Sequence, residues 1–521
     1  MSATSQPIPR SATTRSFLPI ALLGFSIAAR IQLRAGFAWL VLCSLVYYGW
    51  WNPNPGQPWT PVYVFLILGS CIGNFICGNA IVRARGTPTG KAKLTAGVVA
   101  NLGLLAYYKY TGFLAGVFQH FTGWPENVPN VILALGISFF TFQQIAYLVD
   151  AWRGETKEYH FTDYMLFVCF WPQLIAGPIV HHKEMLPQFQ RESWRNHRWV
   201  DASAGITILL IGLFKKVVIA DNAAPIATAI FELAGSGTRE PTMAEAWSGA
   251  TAYAMQIYFD FSGYSDMAIG AARLFGIRLP LNFHSPYKAA SIIDFWRRWH
   301  ITLSRFLRDY LYIPLGGNRC SKSRRYFNLL ITMVLGGFWH GAGWTYLLWG
   351  LLHGLYLCIN NAWRFVREKA NLPKIPKPVA VVLTFVFVVI AWVPFRAGTY
   401  ELGVDGSAAR ALETTRTMFA SMFGFNGFAE WPDRSAFVVK DSHALRACLL
   451  VLVCWFLPNT QQFMRRYQPA IDPSSFEDNH RGPRRWWQWR PNTAWFIVSL
   501  IMLLAVIHQF DKLSEFIYFQ F

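Results

Sequence analysis

Long apolar segments recur along the whole chain and alternate with short polar connections. A helix that crosses a bilayer needs about 20 mostly apolar residues, and several of these segments reach that length. The pattern therefore predicts an all-α protein, a polytopic bundle of transmembrane helices. The candidate segments are 17–29, 36–51, 61–82, 94–119, 129–150, 161–180, 203–233, 245–275, 326–360, 378–397, 447–458 and 493–512.

The segment 326–360 departs from this simple alternation. It is almost uniformly apolar, yet basic residues flank both ends, which places both ends on the same side of the membrane. Its length is too short for two full crossings and too long for one untilted helix. Four glycines lie between Gly336 and Gly343, and glycine weakens a helix interior. We therefore predict a re-entrant or broken pair of helices that meets at His340.

The charge of the chain fits a membrane protein. Charged residues make up only 14% of the chain, against about 25% in soluble proteins. The net charge is +19, and in so apolar a chain this excess indicates cytoplasmic loops rather than a nucleic-acid partner. The predicted cytoplasmic clusters are Arg83 to Lys93, Lys183 to Arg198, Arg319 to Arg325, Arg364 to Lys377 and Arg465 to Arg490.

The same charge pattern suggests the organisation of the chain. Residues 1–16 form a polar N-terminal tail, and 17–521 are predicted to be a single multi-span membrane domain. The segment 398–446 has nearly balanced charges and is predicted to be an external loop, whereas 459–492 is predicted to be a basic cytoplasmic loop. The eight cysteines form no C-x-x-C pair, so we expect them to act as small apolar residues.

His340 is the first candidate for chemistry. An ionisable residue at membrane depth is a functional candidate by default. Burial disfavours the charged form of an imidazole, and a neutral imidazole can accept a proton from a hydroxyl as a general base. The alternative is a hydrogen-bonded packing residue.

A second candidate lies upstream, where apolar residues recur at three- and four-residue spacing between Ile292 and Tyr310. This spacing predicts an interfacial amphipathic helix that carries His300. Its cationic side would contact lipid headgroups or bind an anionic donor, with His300 directed into a cavity. The arginines on that side are Arg297, Arg298, Arg305 and Arg308.

Two further segments contain polar residues in apolar surroundings. Tyr258, Asp260 and Ser262 lie in an apolar helix, where a carboxylate needs a partner. Asp260 would therefore contribute to a binding site or would pair with an arginine or cap a helix. His181 and His182 follow a Pro/Gly-broken helix end in a basic loop, and we expect them to be solvated rather than metal ligands. The sequence predicts no metal site.

Several motifs together resemble the membrane-bound O-acyltransferase family. They cover the chain from about residue 45 to its end and are similar to the bacterial branch that acetylates alginate and other exopolysaccharides. The motifs are GISFFTF (136–142), IAGP (175–178), YFDFSGYSD (258–266), DFWRRWHITLSRFLRDYLYIPLGGN (294–318), GGFWHGAGW (336–344), WGLLH (349–353), the segment Trp392 to Arg396 and the final YFQF (518–521).

The resemblance implies an acyltransferase built around a membrane cavity. His340 would be its catalytic histidine and His300 its second catalytic position. Trp296, Trp339, Tyr258, Asp260 and Ser262 would contribute to substrate or donor binding, together with Arg297, Arg298 and Arg305.

The function that follows is a membrane O-acetyltransferase component in the bacterial inner membrane. It would take an acetyl group from acetyl-CoA, a substrate rather than a bound cofactor, and pass it across the membrane to periplasmic acetyltransferase partners that modify an exported polysaccharide. Membrane lipid would surround it, and no nucleic acid would take part. Two alternatives remain open at this point: an acyl-group channel without chemistry of its own, and a lipid or D-alanyl acyltransferase.

Overall fold

A computed structural model of the full chain describes residues 12–52, 60–124, 131–156, 159–189, 198–401, 407–428, 441–471, 485–510 and 516–517. Within these ranges the regular structure is helical, and the one β-bridge, between Pro280 and Ile471, stands outside any strand. The all-α prediction is therefore confirmed. The C-terminal motif 518–521 lies outside the described residues.

We number the α-helices in chain order. They are α1 (Ala12–Ile31), α2 (Leu33–Gly49), α3 (Val62–Arg83), α4 (Pro88–Leu105), α5 (Thr111–Thr122), α6 (Ile137–Arg153), α7 (Phe161–Cys169), α8 (Trp171–Leu174), α9 (His182–Met185), α10 (Arg198–Phe214), α11 (Asp221–Ser236), α12 (Met243–Leu274), α13 (Ile292–Arg298), α14 (Ile301–Leu307), α15 (Lys322–His340), α16 (Trp344–Lys369), α17 (Lys377–Ala397), α18 (Ala408–Met422), α19 (Asp441–Phe456), α20 (Thr460–Phe463) and α21 (Thr493–His508).

Three helical segments of the described chain are long and apolar enough to cross a membrane. They are Val62–Arg83, Trp199–Ser236 and Lys377–Tyr400, and they correspond to the predicted segments 61–82, 203–233 and 378–397. The longest of them joins α10 and α11 through a π-helical turn, Lys215–Ala220. The predicted segment 161–180 is divided into shorter helices, because α7 ends at Cys169, ahead of Pro172 in α8.

The chain forms two compact units. The first comprises Met1–Leu209, Met267–Pro280 and Pro469–Glu477, and the second comprises Leu210–Asp266, Leu281–Gln468 and Asp478–Phe521. A single membrane domain from residue 17 on stays a prediction. Within the predicted parts of the chain, α1 begins in the polar tail 1–16 and α18 lies in the external loop 398–446.

The core of the first unit centres on α6, which is buried along almost its whole length. A helix that is enclosed on all sides must pair its polar groups internally. Gln144 of α6 does so with Asn74 of α3, whose amide lies 3.0 Å from the Gln144 side-chain oxygen, and Asn101 of α4 donates to Asn74 at 2.6 Å. These buried amides fix the register of α3, α4 and α6.

Candidate active site

The predicted helix break at His340 is present in the second unit. Helix α15 ends at His340 and α16 begins at Trp344. His340 is buried, with only 3% of its surface exposed. The break therefore places an imidazole at the junction of two helices, enclosed by protein.

The two helices pack antiparallel at very short range, and glycines make that possible. A Cβ at Gly350 of α16 would lie 2.4 Å from the Met333 carbonyl oxygen of α15, and a Cβ at Gly337 would lie 2.3 Å from the Tyr346 carbonyl oxygen. Both distances are far below van der Waals contact. The glycines of the motif thus serve close packing as well as the break itself.

Glu401 caps the N-terminus of α16. Its carboxylate accepts hydrogen bonds from the backbone N–H groups of Trp344 and Thr345, at 3.1 and 3.2 Å, and from the Thr345 hydroxyl at 2.7 Å. Burial raises the pKa of the Glu401 carboxyl, and these hydrogen bonds act in the opposite direction. A carboxylate in this position stabilises the positive end of the helix dipole.

Four backbone N–H groups at the helix break have hydrogen-bond acceptors within the protein. Trp344 and Thr345 donate to Glu401. Gly341 donates to the Gly337 carbonyl at 3.4 Å and Gly343 to the Gly341 carbonyl at 3.0 Å. These four hydrogen bonds therefore stabilise the junction between α15 and α16.

His300 occupies a second break, where one amphipathic helix was expected. The continuous helix from Ile292 to Tyr310 is instead divided into α13 and α14, because Trp299 is extended and His300 has a left-handed backbone with φ of 41°. A non-glycine residue in this region is strained and is often found at functional sites. His300 is fully buried, which contradicts a helix that simply lies on the membrane surface.

A hydrogen-bond network sets the orientation of the His300 ring. Asn282 donates through its side-chain nitrogen to Ser265 at 3.2 Å, and its oxygen accepts from the Thr302 hydroxyl at 2.9 Å. The same oxygen lies 3.0 Å from His300 Nδ1, so Nδ1 must carry the proton that it donates. The neutral ring then presents Nε2 as the basic nitrogen.

The two histidines lie in one aromatic-lined cluster. The ring centroids of His300 and His340 are 6.3 Å apart, and Trp339 contacts both rings, at 6.3 and 4.9 Å. Trp349 and Phe395 pack against His340 at 5.1 and 5.3 Å. Two buried imidazoles in an aromatic environment have the chemistry of a general base and of a second proton-transfer or hydrogen-bonding group.

Comparison with known proteins identifies the family of the chain. The family model of the membrane-bound O-acyltransferases matches residues 135–396. A peptidoglycan O-acetyltransferase of Helicobacter pylori is 42% identical over 439 residues, which are 79% of each chain. A probable alginate O-acetylase of Azotobacter vinelandii is 40% identical over 74% of this chain and 72% of its own.

The chain belongs to the membrane-bound O-acyltransferase family. It is a membrane-integral O-acyltransferase. A more distant relative, a teichoic acid D-alanyltransferase of Streptococcus thermophilus, is 29% identical over 52% of this chain and 70% of its own.

Sequence reasoning missed one further histidine of this O-acyltransferase. His353 of α16 is fully buried, and its Nδ1 accepts a hydrogen bond from the Trp296 indole N–H at 3.3 Å. It stacks on Phe295 with centroids 6.0 Å apart, and Trp349 bridges it to His340 through ring contacts of 4.9 and 5.1 Å. The sequence signal that could have identified His353 is the WGLLH motif, in which this histidine follows Trp349 by four residues.

The arginines of the O-acyltransferase do not share one environment. Arg298 pairs with Asp294 at 2.8 Å and Arg308 pairs with Asp309 at 2.6 Å. Arg297 is exposed and Arg305 is half-buried. Two of the four charges are therefore balanced by neighbouring carboxylates.

The polar residues of α12 divide between two locations. Tyr258 belongs to the aromatic cluster, 6.3 Å from Trp299. Asp260 instead pairs with Lys216 at 2.9 Å and accepts from the Ile517 backbone N–H at 3.2 Å. Ser262 is buried on the same helix. The ion pair of Asp260 agrees with its alternative, structural interpretation, with a lysine in place of the expected arginine.

The expectation that both His181 and His182 are solvated is wrong for His182. Its side chain is fully buried, whereas that of His181 is 19% exposed. Both rings approach Asp150 of α6 in the first unit, at 2.7 and 3.4 Å. The basic, polar sequence around His182 does not indicate that its side chain is buried.

Proposed function

We propose that this O-acyltransferase transfers acetyl groups from a cytoplasmic donor, acetyl-CoA, for O-acetylation of a glycan polymer outside the cytoplasm. It acts as a multi-pass protein of the bacterial inner membrane, and α15 and α16 form a re-entrant pair that carries the catalytic histidine to membrane depth. The observation that carries the proposal is the buried pair of His300 and His340.

The geometry suits acyl transfer from a thioester. The acceptor hydroxyl must lose a proton as it attacks the thioester carbonyl, and the thiolate leaving group must gain one. His340 is proposed as the base, and His300, whose Nε2 is oriented by Asn282, as the second catalytic group. The surrounding aromatic rings exclude water, which would otherwise hydrolyse the acyl group.

The donor is proposed to bind through its phosphates. Arg297 and Arg305 lie on α13 and α14, on either side of His300. Guanidinium groups bind phosphate bidentately, so these arginines are matched to the diphosphate of CoA, while Trp296 and Trp339 line the route to the histidines.

The acceptor polymer is proposed from the relatives. Two relatives are named for the acetylation of peptidoglycan and of alginate, and a glycan polymer of this kind outside the cytoplasm is the proposed acceptor. Periplasmic acetyltransferase proteins are the proposed partners that receive the acetyl group and place it on polymer hydroxyls.

The central experiment replaces each histidine singly by alanine and measures acetylation of the secreted or cell-wall polymer in a deletion strain complemented with each variant. His340→Ala and His300→Ala are each expected to lower acetylation about 10²- to 10⁴-fold, with protein levels unchanged. His508→Ala, which alters an exposed histidine of α21, is the matched control and should be neutral. Full acetylation with His340→Ala would refute its catalytic role.

A second experiment distinguishes donors and reaction classes. The purified protein in lipid nanodiscs is offered acetyl-CoA, a long-chain acyl-CoA and a D-alanyl carrier protein, and release of the free thiol is measured. We expect acetyl-CoA turnover that His340→Ala abolishes. Preference for the long-chain acyl-CoA or the D-alanyl carrier protein would support a lipid or D-alanyl acyltransferase instead. Passage of acyl groups across the membrane without thioester cleavage would support a channel.

A further inference from the structure

Three potential metal ligands converge in the first unit, apart from the acyl-transfer histidines. Asp150 lies near the end of α6, and His181 and His182 lie at the start of α9. One ligand atom from each residue lies within 4.8 Å of the others. Asp150 and His182 are almost fully buried, and His181 is 19% exposed at the side chain.

The orientation of His182 directs a ring nitrogen at a buried carboxylate. Its Nε2 lies 3.3 Å from the Glu155 backbone oxygen, an acceptor, so Nε2 carries the ring proton. Its Nδ1 therefore presents a lone pair, which accepts no hydrogen bond from any described residue and faces the Asp150 carboxylate oxygen at 3.4 Å. Two buried acceptors held against each other repel unless a proton or a metal ion lies between them.

The neighbouring charges leave this arrangement intact. The Arg153 guanidinium lies 3.6 Å from Asp150 Oδ1, whereas both histidines approach Oδ2. The Lys183 ammonium pairs with the Glu155 carboxylate. Arg153 and Glu155 thus hold the carboxylate and the His182 ring from behind, as outer-shell groups do at protein metal sites.

We propose that Asp150 Oδ2, His181 Nε2 and His182 Nδ1 bind a divalent transition-metal ion of the zinc class. Zinc ligands lie about 2.0–2.2 Å from the ion, so two of them on one ion are separated by roughly 3.3 Å. The Asp150–His182 distance of 3.4 Å already matches, and the Asp150–His181 distance of 2.7 Å must open slightly.

When the ion binds, His181 exchanges its hydrogen bond to Asp150 for a bond to the metal. In the metal-free form His181 accepts from the Lys183 backbone N–H at Nδ1 and donates from Nε2 to Asp150. When Nε2 binds the ion, the ring proton moves to Nδ1 and the long 3.4 Å contact with Lys183 is given up. The partial exposure of His181 leaves a path for the ion and room for a water as fourth ligand.

The site would fasten α9 to α6 and is independent of acyl transfer. The test uses the full chain, purified in detergent with a tag that contains no histidine, stripped with a chelator and titrated with Zn²⁺ alone. We expect about one equivalent to bind, with the midpoint of thermal unfolding raised. Titration with Co²⁺ should give the visible absorption of a nitrogen- and oxygen-ligated ion.

Two variants probe the ligands with little change in shape. His182→Phe keeps the ring that packs 6.2 Å from both Tyr147 and Tyr159, and Asp150→Asn keeps the side-chain volume. Each should weaken zinc binding at least about 100-fold. His160→Ala, the matched control, removes an exposed histidine that bonds Arg34 at 2.8 Å and should bind zinc as the parent does.

Two results would overturn the site. One is a stripped wild-type protein that takes up no Zn²⁺ at micromolar concentrations, which requires no variant to fold. The other is uptake that His182→Phe and Asp150→Asn leave unchanged. Acyl transfer is measured separately, so failure of the metal site and failure of the proposed function are distinguishable.

Discussion

At the scale of single residues, the orientation of His300 is the most informative feature. Its left-handed backbone, with φ of 41°, costs of order 1–3 kcal/mol and positions the ring beside Asn282. The amide oxygen of Asn282 accepts from His300 and Thr302 together. Asn282 is therefore a positioning residue for the His300 tautomer.

Replacing Asn282 tests this role. Asn282→Ala leaves His300 Nδ1 without its acceptor, so the ring can adopt either tautomer and rotate. We expect kcat to fall about 10²-fold with little change in KM for acetyl-CoA, and the free energy of unfolding to fall by about 1–3 kcal/mol. Steady-state kinetics in nanodiscs and chemical denaturation in detergent provide the two measurements.

The matched control for this position is Thr302→Val. It removes the hydroxyl that bonds Asn282 at 2.9 Å but leaves the His300 contact in place. It should lower stability without the same loss of kcat. Equal losses of kcat in both variants would assign Asn282 a merely structural role.

At the scale of secondary structure, the antiparallel pair of α15 and α16 determines where His340 lies. Gly350 contacts the backbone of Met333, and Gly354 contacts Leu330 one turn further on. At the connected end of the pair, beside the junction, Glu401 holds the first turn of α16. The break is thus held by packing on one side and by a cap on the other.

Gly350→Ala should separate the two helices. The added Cβ would meet the Met333 carbonyl oxygen at 2.4 Å and the Val334 Cα at 2.8 Å, and backbone atoms have little freedom to move. We expect a loss of about 1–3 kcal/mol of stability together with reduced activity, because His340 is displaced. Thermal unfolding in detergent and thiol release measure the two effects.

Gly103→Ala is the control for this substitution. Gly103 lies inside α4, and a Cβ there would meet nothing within 4 Å. Alanine is the better helix former by about 1 kcal/mol, so this variant should be at least as stable as the parent. An equally stable Gly350→Ala variant would show that the pair tolerates a wider spacing.

At the scale of the whole molecule, the second unit neutralises buried charges between distant parts of the chain. Lys215 pairs with Asp266 at 2.6 Å, and the Thr460 hydroxyl donates to the same carboxylate at 2.6 Å. The adjacent Lys216 bridges Asp221 and Asp260 at 2.7 and 2.9 Å. The π-helical turn Lys215–Ala220 carries both lysines.

Removing one charge from each of these two groups of ion pairs should lower the free energy of unfolding by different amounts. Lys215→Met leaves Asp266 buried with only a hydroxyl donor, so we expect a loss of about 3–5 kcal/mol. Asp260→Asn leaves Lys216 paired with Asp221 and should cost about 1–3 kcal/mol. Chemical denaturation of the two variants in detergent measures the difference.

Enzyme kinetics then separates the two interpretations of Asp260. If its role is structural, the KM for acetyl-CoA of Asp260→Asn equals that of the parent protein. A KM for acetyl-CoA that is raised tenfold or more at unchanged stability would instead show that Asp260 takes part in donor binding.

The sequence by itself determined the class of the protein and the helix break at its candidate catalytic histidine. Apolar segment length predicts membrane helices, because a bilayer imposes its thickness on them. Clustered glycines predict the break at His340, since glycine disfavours a helix interior. Both are local properties that the order of residues encodes directly.

The tertiary structure decided the properties that depend on contacts between distant residues. The three- and four-residue spacing of apolar residues around His300 predicts a continuous helix. The helix is instead broken at His300, whose backbone is left-handed and whose ring bonds Asn282. His182 stands in a basic loop of the sequence and is nevertheless buried beside Asp150, 32 positions earlier in the chain. Burial and pairing arise from packing, and no local pattern specifies which distant side chain completes a site.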